Sequence, residues 1–440
     1  IDKFAQIAHF PQAGRLICDD EYCINLIIQD ELHLISGPLG TVTGVFEAAF
    51  DTLMSHSNHK PKYLAATATI RGAKNQIKQL FARNIFTFPP SGIDHKDRFF
   101  SREDKDDVGR LYFGIMSQGH TAVTTTVRIA AAALQSTHEI QSTQDMDGYK
   151  TLVIYHNAKK EKSKTLILAG DDIPKRIEVI ASNNPRPINN IDELSADISR
   201  MHAFEVKNRM EYNHSDSRSL DIVSVTSMLS VGVDIQRLGL MQVTGQPRQT
   251  SEFIQATSRV GRSKEYPGLV LVNYIASNPR DRSHYEQFFA YINSINRYVE
   301  PTSVTTGAEP ALRRVLPTCL MILGRNLLGL GKKDQAQLFD IDANLTKSII
   351  GLFKKRLTEA DPQEKNLINK IVDDHLNEWD QYIKDAPSTV HWHTKGGKLG
   401  SNTQFLTKDF GDYKHIALWD VMQSMRHVDS EIQIKVDNGN

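Results

Sequence analysis

Cysteine, net charge and long apolar runs are all scarce in this chain, and each scarcity closes off a class of protein. Three cysteines in 440 residues, at positions 18, 23 and 319, make neither a disulfide framework nor a zinc site, so a reducing compartment is the default. Lys+Arg and Asp+Glu stand at 52 each, which argues against a polycationic nucleic-acid binder, although a neutral total can hide a basic groove. No apolar run reaches the roughly 20 residues that a membrane span needs, and the N-terminus lacks a basic segment followed by an apolar core. Together these absences read as a cytoplasmic chain without a membrane partner. A last absence is chemical: no G-x-x-x-x-G-K-S/T loop precedes Asp30, so no phosphate cradle stands where one is expected.

What is present begins at Leu26-Ile27-Ile28-Gln29-Asp30-Glu31-Leu32-His33. An apolar run ending in adjacent carboxylates reads as a buried strand that delivers both to the C-terminal edge of a parallel sheet, the layout of a Walker B strand. In nucleotide hydrolysis such an Asp holds Mg²⁺ and the following carboxylate orients and deprotonates the attacking water. Alone, the pair is better explained by a strand followed by an acidic turn. It gains meaning from three later blocks: Thr67-Ala68-Thr69 at a strand end, Thr226 to Asp234 after another strand, and Gln255 to Arg262. In the second of these, hydroxyls can hold a nucleic-acid phosphate, Gly232 permits close backbone approach, and Asp234 can bond a ribose or an arginine. In the third, a spacing of three puts Arg259 and Arg262 on one face of a helix, from which both could reach a γ-phosphate.

In this order the four blocks resemble motifs II, III, V and VI of superfamily 2 helicases, with "DELH" standing where that superfamily carries DEAH or DEAD. Longer stretches, "IIQDELHLISGPLGT" and "SVGVDIQRLGLMQVTGQPRQTSEFIQATSRVGRS", are similar to the helicase-like proteins of the DISARM antiphage system. The resemblance implies ATP and Mg²⁺ as cofactors. Asp30 would bind the metal, Glu31 would position the lytic water, and Arg259 and Arg262 would stabilise the transition state. Gln255, Gly232 and Asp234 would serve the nucleotide, His33, Thr67 and Thr69 would couple hydrolysis to movement, and Thr226 would touch nucleic acid. It also implies nucleic acid, DNA expected, as a partner, together with a portion carrying the P-loop and a DISARM partner subunit. An ATP-independent nucleic-acid-binding scaffold is the alternative for a piece without that loop.

The fold expected is α/β, with RecA-like parallel sheets followed by an α-helical C-terminal extension. Residues 1–105 read as an incomplete first RecA-like domain. Residues 106–300 read as a complete second one with an insertion at about 160–218, and 301–440 as a helical accessory domain. Apolar periodicity places helices over 42–54, 71–81, 124–134, 192–212 and 281–298, and later over 312–328, 345–357 and 364–383. Trp392 between His391 and His393 reads as a packed tryptophan in a turn, because no third ligand accompanies the two histidines.

Overall fold

In the computed structural model, the described residues are 24–422 and 424, apart from 57–59, 68–71, 89, 91–92, 95–96, 98, 101, 103, 105–108, 141–146, 158, 196, 227–233, 302 and 394–402. The chain divides into two compact units, one of residues 1–88 with 301–440 and the other of residues 89–300. The change of unit therefore falls near residue 88 rather than 105, and residues from 301 onward share a unit with the start of the chain.

The first unit opens with strand β1 (Leu26–Gln29), helix α1 (Gly37–His56), strand β2 (Lys62–Ala65) and helix α2 (Ala73–Phe81). β1 and β2 pair in parallel, Leu26 opposite Lys62 and Gln29 opposite Ala65. The run read as a buried strand is half exposed: Ile28 is 68% and Leu26 49% accessible. Its apolar character is matched by no second covering layer among the described residues.

The second unit is built on a six-stranded parallel sheet with strands β3 (Arg110–Met116), β4 (Leu152–His156), β5 (Ile191–Leu194), β6 (Ile222–Val225), β7 (Leu240–Thr244) and β8 (Gly268–Tyr274) in the order 3-8-7-4-6-5. Leu-Val-Ile-Tyr-His, Ile-Val-Ser-Val and Leu-Met-Gln-Val-Thr are buried throughout, as central parallel strands covered on both faces must be. Helices α3 (Ala122–His138), α4 (Lys159–Gly170) and α5 (Asp172–Ile180) cover one face, with Leu134, Ala169, Ile173 and Ile177 packed on Leu152, Ile154 and Ile222. The other face carries α6 (Arg200–Glu211) and α7 (Thr250–Thr257), whose Val206, Met210 and Phe253 bury against Val223 and Met241.

Three expectations about this unit change. The segment read as an insertion supplies a strand of the sheet and part of its core. The single helix over 192–212 is a strand, Ile191–Leu194, and a separate helix whose first turn is capped by Ser199 accepting the His202 N–H at 3.2 Å. The helix over 281–298 breaks into α8 (Pro279–Glu286), α9 (Phe288–Asn293) and a 3₁₀ turn, beginning where Asn278 accepts the Arg280 N–H and Pro279 supplies the first-turn φ.

The first unit resumes with helices α10 (Glu309–Asn326), α11 (Asn344–Ala360) and α12 (Lys365–Asp385), close to their expected spans. The extension is not purely helical: β9 (Val390–His393), β10 (Gln404–Asp409) and β11 (Ala417–Val421) form a parallel sheet in the order 11-10-9. Nor is it a separate body. Val45 and Ala49 of α1 share one core with Leu316, Leu320, Phe353, Trp379, Trp392 and Trp419, and the Cys319 thiol sits 3.7 Å from the Val45 carbonyl. Trp392 is packed, as expected, but on a strand, where its indole N–H donates to the Leu330 carbonyl at 2.9 Å. No helix among the described residues is long and apolar enough to cross a membrane.

Candidate nucleotide and nucleic-acid sites

The carboxylate pair sits where β1 ends. Ala66 N–H donates to Gln29 and Leu32 N–H to Ala66, at 2.8 and 3.0 Å, so the ends of β1 and β2 are knitted together through this turn. The Asp30 carboxylate accepts the Glu31 N–H at 2.9 Å, and Asp30 is exposed. Glu31 holds φ +53°, a left-handed conformation that costs a non-glycine residue on the order of 1 kcal/mol. The chain then makes one 3₁₀ turn, Leu32–Leu34, pinned by Gln76 of α2, whose amide donates to the Leu32 and Ile35 carbonyls at 3.1 and 2.7 Å. Leu32 is buried with Ile77, Leu80 and Phe81.

His33 is buried inside this turn. Its Nδ1 lies 3.1 Å from the Thr67 hydroxyl and 3.4 Å from the Glu31 carboxylate. Two residues expected to couple the motifs, His33 and Thr67, are therefore in contact, and Glu31 is in reach of both through the imidazole. Thr69 lies outside the described residues.

In the second unit, β6 delivers Thr226 buried at its end, with its N–H on the Leu194 carbonyl at 3.4 Å. Residues 227–233, Gly232 among them, lie outside the described residues. Asp234, just beyond, meets an arginine: Arg262 Nη1 donates to its Oδ1, which also accepts from Gln236 at 3.1 Å. Arg262 Nε donates in turn to the Ser258 carbonyl at 3.1 Å, so the guanidinium is held between the two segments.

The helix expected to present both arginines ends before it reaches them. α7 is capped at its start by Glu300, whose carboxylate accepts the Thr250 N–H at 2.9 and 3.0 Å and the Thr250 hydroxyl at 3.1 Å, and Gln255 is buried within it. Past Thr257 the side chains of Thr257 and Ser258 bond back to the Phe253 and Gln255 carbonyls, and Gly261 turns the chain at φ +64°. A Cβ on Gly261 would lie 2.4 Å from the Gly268 nitrogen, so glycine alone fits. The turn is tied down by Gly261 N–H to Leu238 at 2.8 Å and by Arg110 Nε to the Val260 carbonyl at 2.6 Å. Arg259 and Arg262 thus stand on a rigid post-helical turn, not on one helical face.

A polar layer went unrecognised in the sequence. At the C-terminal ends of the central strands His156, Thr244 and Asn273 lie in register. Both His156 ring nitrogens, the Thr244 hydroxyl and the Asn273 and Gln242 side-chain oxygens are buried with no partner among the described residues. Burial pushes the His156 imidazole down to about 4. The available signal was the polar residue inside each apolar run, Gln242 in Leu-Met-Gln-Val-Thr and Asn273 in Leu-Val-Asn-Tyr. Beside it Asp281 is buried, accepting the Ile275 and Gln246 N–H groups at 2.7 and 3.2 Å, and burial raises its carboxyl above the usual range.

No group of three or more His, Cys, Asp or Glu poised around a metal occurs among the described residues. Asp30 can offer one carboxylate, which suits Mg²⁺, an ion commonly held by one or two carboxylates with phosphate and water completing the shell.

No family model matches the chain. It is 36% identical over 438 residues to the DISARM protein DrmA of Bacillus paralicheniformis, an alignment covering 95% of this chain and 38% of that protein. The chain therefore spans well under half the length of this curated relative. Among solved structures it is similar to the DUF1998 helicase MrfA bound to DNA, with TM-score 0.50 and 14% identity over 75% of this chain and 38% of that one. The same helicase bound to DNA and AMPPNP gives TM-score 0.48 and 16% identity over 68% and 36% of the two chains. The fold resembles that of the helicase MrfA, and the sequence is related, at modest identity, to the DISARM protein DrmA.

Proposed function

We propose that this chain supplies the Walker B, arginine and nucleic-acid-tracking elements of an ATP-dependent superfamily 2 DNA translocase acting in DISARM-like antiphage defence. The observation that carries the reading is the buried His33 imidazole, within hydrogen-bond distance of the Thr67 hydroxyl and 3.4 Å from Glu31. A carboxylate that handles water in an ATPase has to feel the state of the segment that moves, and this contact joins the two directly. ATP with Mg²⁺ supplies the phosphoanhydride and the charge neutralisation when bound. Asp30 offers its carboxylate to the metal, and Glu31, on its strained turn, takes the proton of the attacking water. Arg262, oriented by Asp234 and Ser258, and Arg259 answer the charge that develops on the transferred phosphoryl group. Gln255, Gly232 and Asp234 serve the nucleotide, and Thr226 with the ends of neighbouring strands follows the sugar-phosphate backbone, a contact without sequence information. A P-loop from elsewhere in the complete protein and a DISARM partner subunit complete the assembly.

The test is Glu31→Gln in the complete protein. Mg-ATP binding persists and turnover is lost, because an amide cannot take a proton; turnover within a few-fold of wild type would remove Glu31 from the role of base. A second reading rests on the missing G-x-x-x-x-G-K-S/T motif: the 440 residues by themselves act as an ATP-independent nucleic-acid binder. Nucleic-acid affinity measured with and without Mg-ATP separates the two.

A further inference from the structure

The first unit holds a second polar cleft, of about 350 Å³, at the other end of α1 from the carboxylate turn. Asp51, fourteen residues along the helix from Gly37, is some 21 Å away at ~1.5 Å per residue. Lys60, Arg83, Lys355 and Arg356 line the cleft against two carboxylates, Asp51 and Glu359. Asp51 is fully engaged: Arg83 Nη2 donates to its Oδ1 at 2.8 Å and Arg356 Nε to its Oδ2 at 2.5 Å. Glu359 lies 3.9 Å from Lys355 on an exposed helix turn, a contact that neutralises little. The two lysines are exposed at the mouth and Arg356 is buried at the base, its side chain only 10% accessible.

The guanidinium groups are not satisfied by this arrangement. Arg356 Nη2 donates to the Leu80 carbonyl at 2.9 Å, but Arg356 Nη1 and Arg83 Nε are buried without an acceptor among the described residues. Buried donors on a charged group cost several kcal/mol when left unpaired, so native structures bring them an acceptor. Four cations, set against Asp51, Glu359 and the neighbouring Glu47, and a pocket of small-molecule size coincide here.

We propose that this cleft binds a small phosphate monoester, its dianionic oxygens taken by Lys60 and Lys355 at the mouth beside the partly exposed Arg83 guanidinium, with the Arg356 charge beneath them. Arginine and lysine together supply the planar and the point-charge donors that phosphate recognition uses. Occupancy would brace α1, the segment just after α2 and α11 against one another, since they supply Asp51, Arg83 and Arg356 in turn.

The experiment is thermal unfolding of the 440-residue chain, followed by tryptophan emission, with inorganic phosphate or AMP titrated against chloride at matched ionic strength and against adenosine. Ligand that binds only the folded state raises Tm in proportion to the logarithm of its concentration. Phosphate and AMP should raise Tm where chloride and adenosine do not. The double variant Lys60→Ala/Lys355→Ala, at exposed positions, should keep the ligand-free Tm and weaken the phosphate response by about tenfold or more in apparent Kd. No phosphate-specific rise in the wild type, or a rise that the double variant retains in full, overturns the proposal. Neither result bears on Glu31 or Arg262, which are read by turnover in the complete protein.

Discussion

His156 should make the second unit acid-sensitive in a way that a single substitution removes. The imidazole is buried at the end of β4, its two nitrogens unpartnered among the described residues, and burial pushes it from 6.5 down to about 4. A base whose folded value is depressed stays neutral in the fold while the unfolded chain takes up a proton. Its full stability contribution is therefore present above pH 6.5 and drains away as pH falls toward 4, at up to about 1.4 kcal/mol per pH unit. Between pH 7 and pH 5 the loss comes to about 2 kcal/mol, from ~1.36 kcal/mol per unit over the part of the window crossed. His156→Gln keeps a polar side chain of similar reach and cannot titrate. Urea unfolding followed by far-UV circular dichroism at pH 7 and pH 5 reads the stability of each protein. The quantity of interest is how the gap between them changes with pH, because every other group titrates alike in both. Trp379, Trp392 and Trp419 all lie in the first unit, so tryptophan emission gives a control transition that the substitution should leave alone. If the gap between wild type and His156→Gln is the same at pH 7 and pH 5, burial does not hold this histidine neutral and the reasoning fails.

Arg262→Ala in the complete protein should cut ATP turnover on the order of 10³-fold if the guanidinium acts in the transition state. Asp234→Asn, which loosens the same arginine without removing it, should cost less; a larger effect on nucleic-acid affinity than on turnover for Arg262→Ala would reassign the turn to phosphate contact. Gly261→Ala forces a side chain into a φ +64° position against the Gly268 nitrogen, and should lower stability by about 2 kcal/mol or more by chemical denaturation. A Gly261→Ala protein as stable as wild type would mean that the turn relaxes freely. Glu300→Ala removes the carboxylate that accepts both a backbone and a hydroxyl proton of Thr250 in the first turn of α7, and should cost about 1 to 2 kcal/mol in the same assay, with no change meaning that water replaces it. Calorimetry of the 440-residue chain with Mg-ATP should detect no micromolar binding, because the motif that cradles β- and γ-phosphates is missing from it; micromolar affinity would refute the half-site reading.

The parts of the fold legible in the sequence are those where one local pattern has one solution. Ile222–Val225 and Leu240–Thr244 could be read as central strands because a short apolar run bounded by polar turns has few other homes in a parallel sheet. The contact of His33 with Thr67 was not read from the sequence, although its cause is simple: two motifs at the ends of adjacent parallel strands arrive at the same edge. The arginines do not share a helical face because a helix terminator outranks periodicity here. Gly261 sits between the two arginines, and a glycine there is a better helix stop than i, i+3 spacing is a helix face.

What stayed illegible depended on partners far along the chain. The apolar stripe of α1 was visible, but nothing near it in sequence says that Val45 packs beside Cys319, so the helices after residue 301 looked like a body of their own. The same blindness made β1 look buried. Leu26 and Ile28 have the side chains of a covered strand, while coverage is a property of what lies alongside, and here they stand 49% and 68% accessible. The contrast with β4 is instructive, because that strand has a similar pattern and is wholly buried between β6 and β7. Apolar composition therefore reports what a strand can tolerate, and only its neighbours decide whether it is used. Among the described residues, the exposed β1–β2 pair therefore has the composition of a surface that can be covered, and its accessibility is set by what lies beside it.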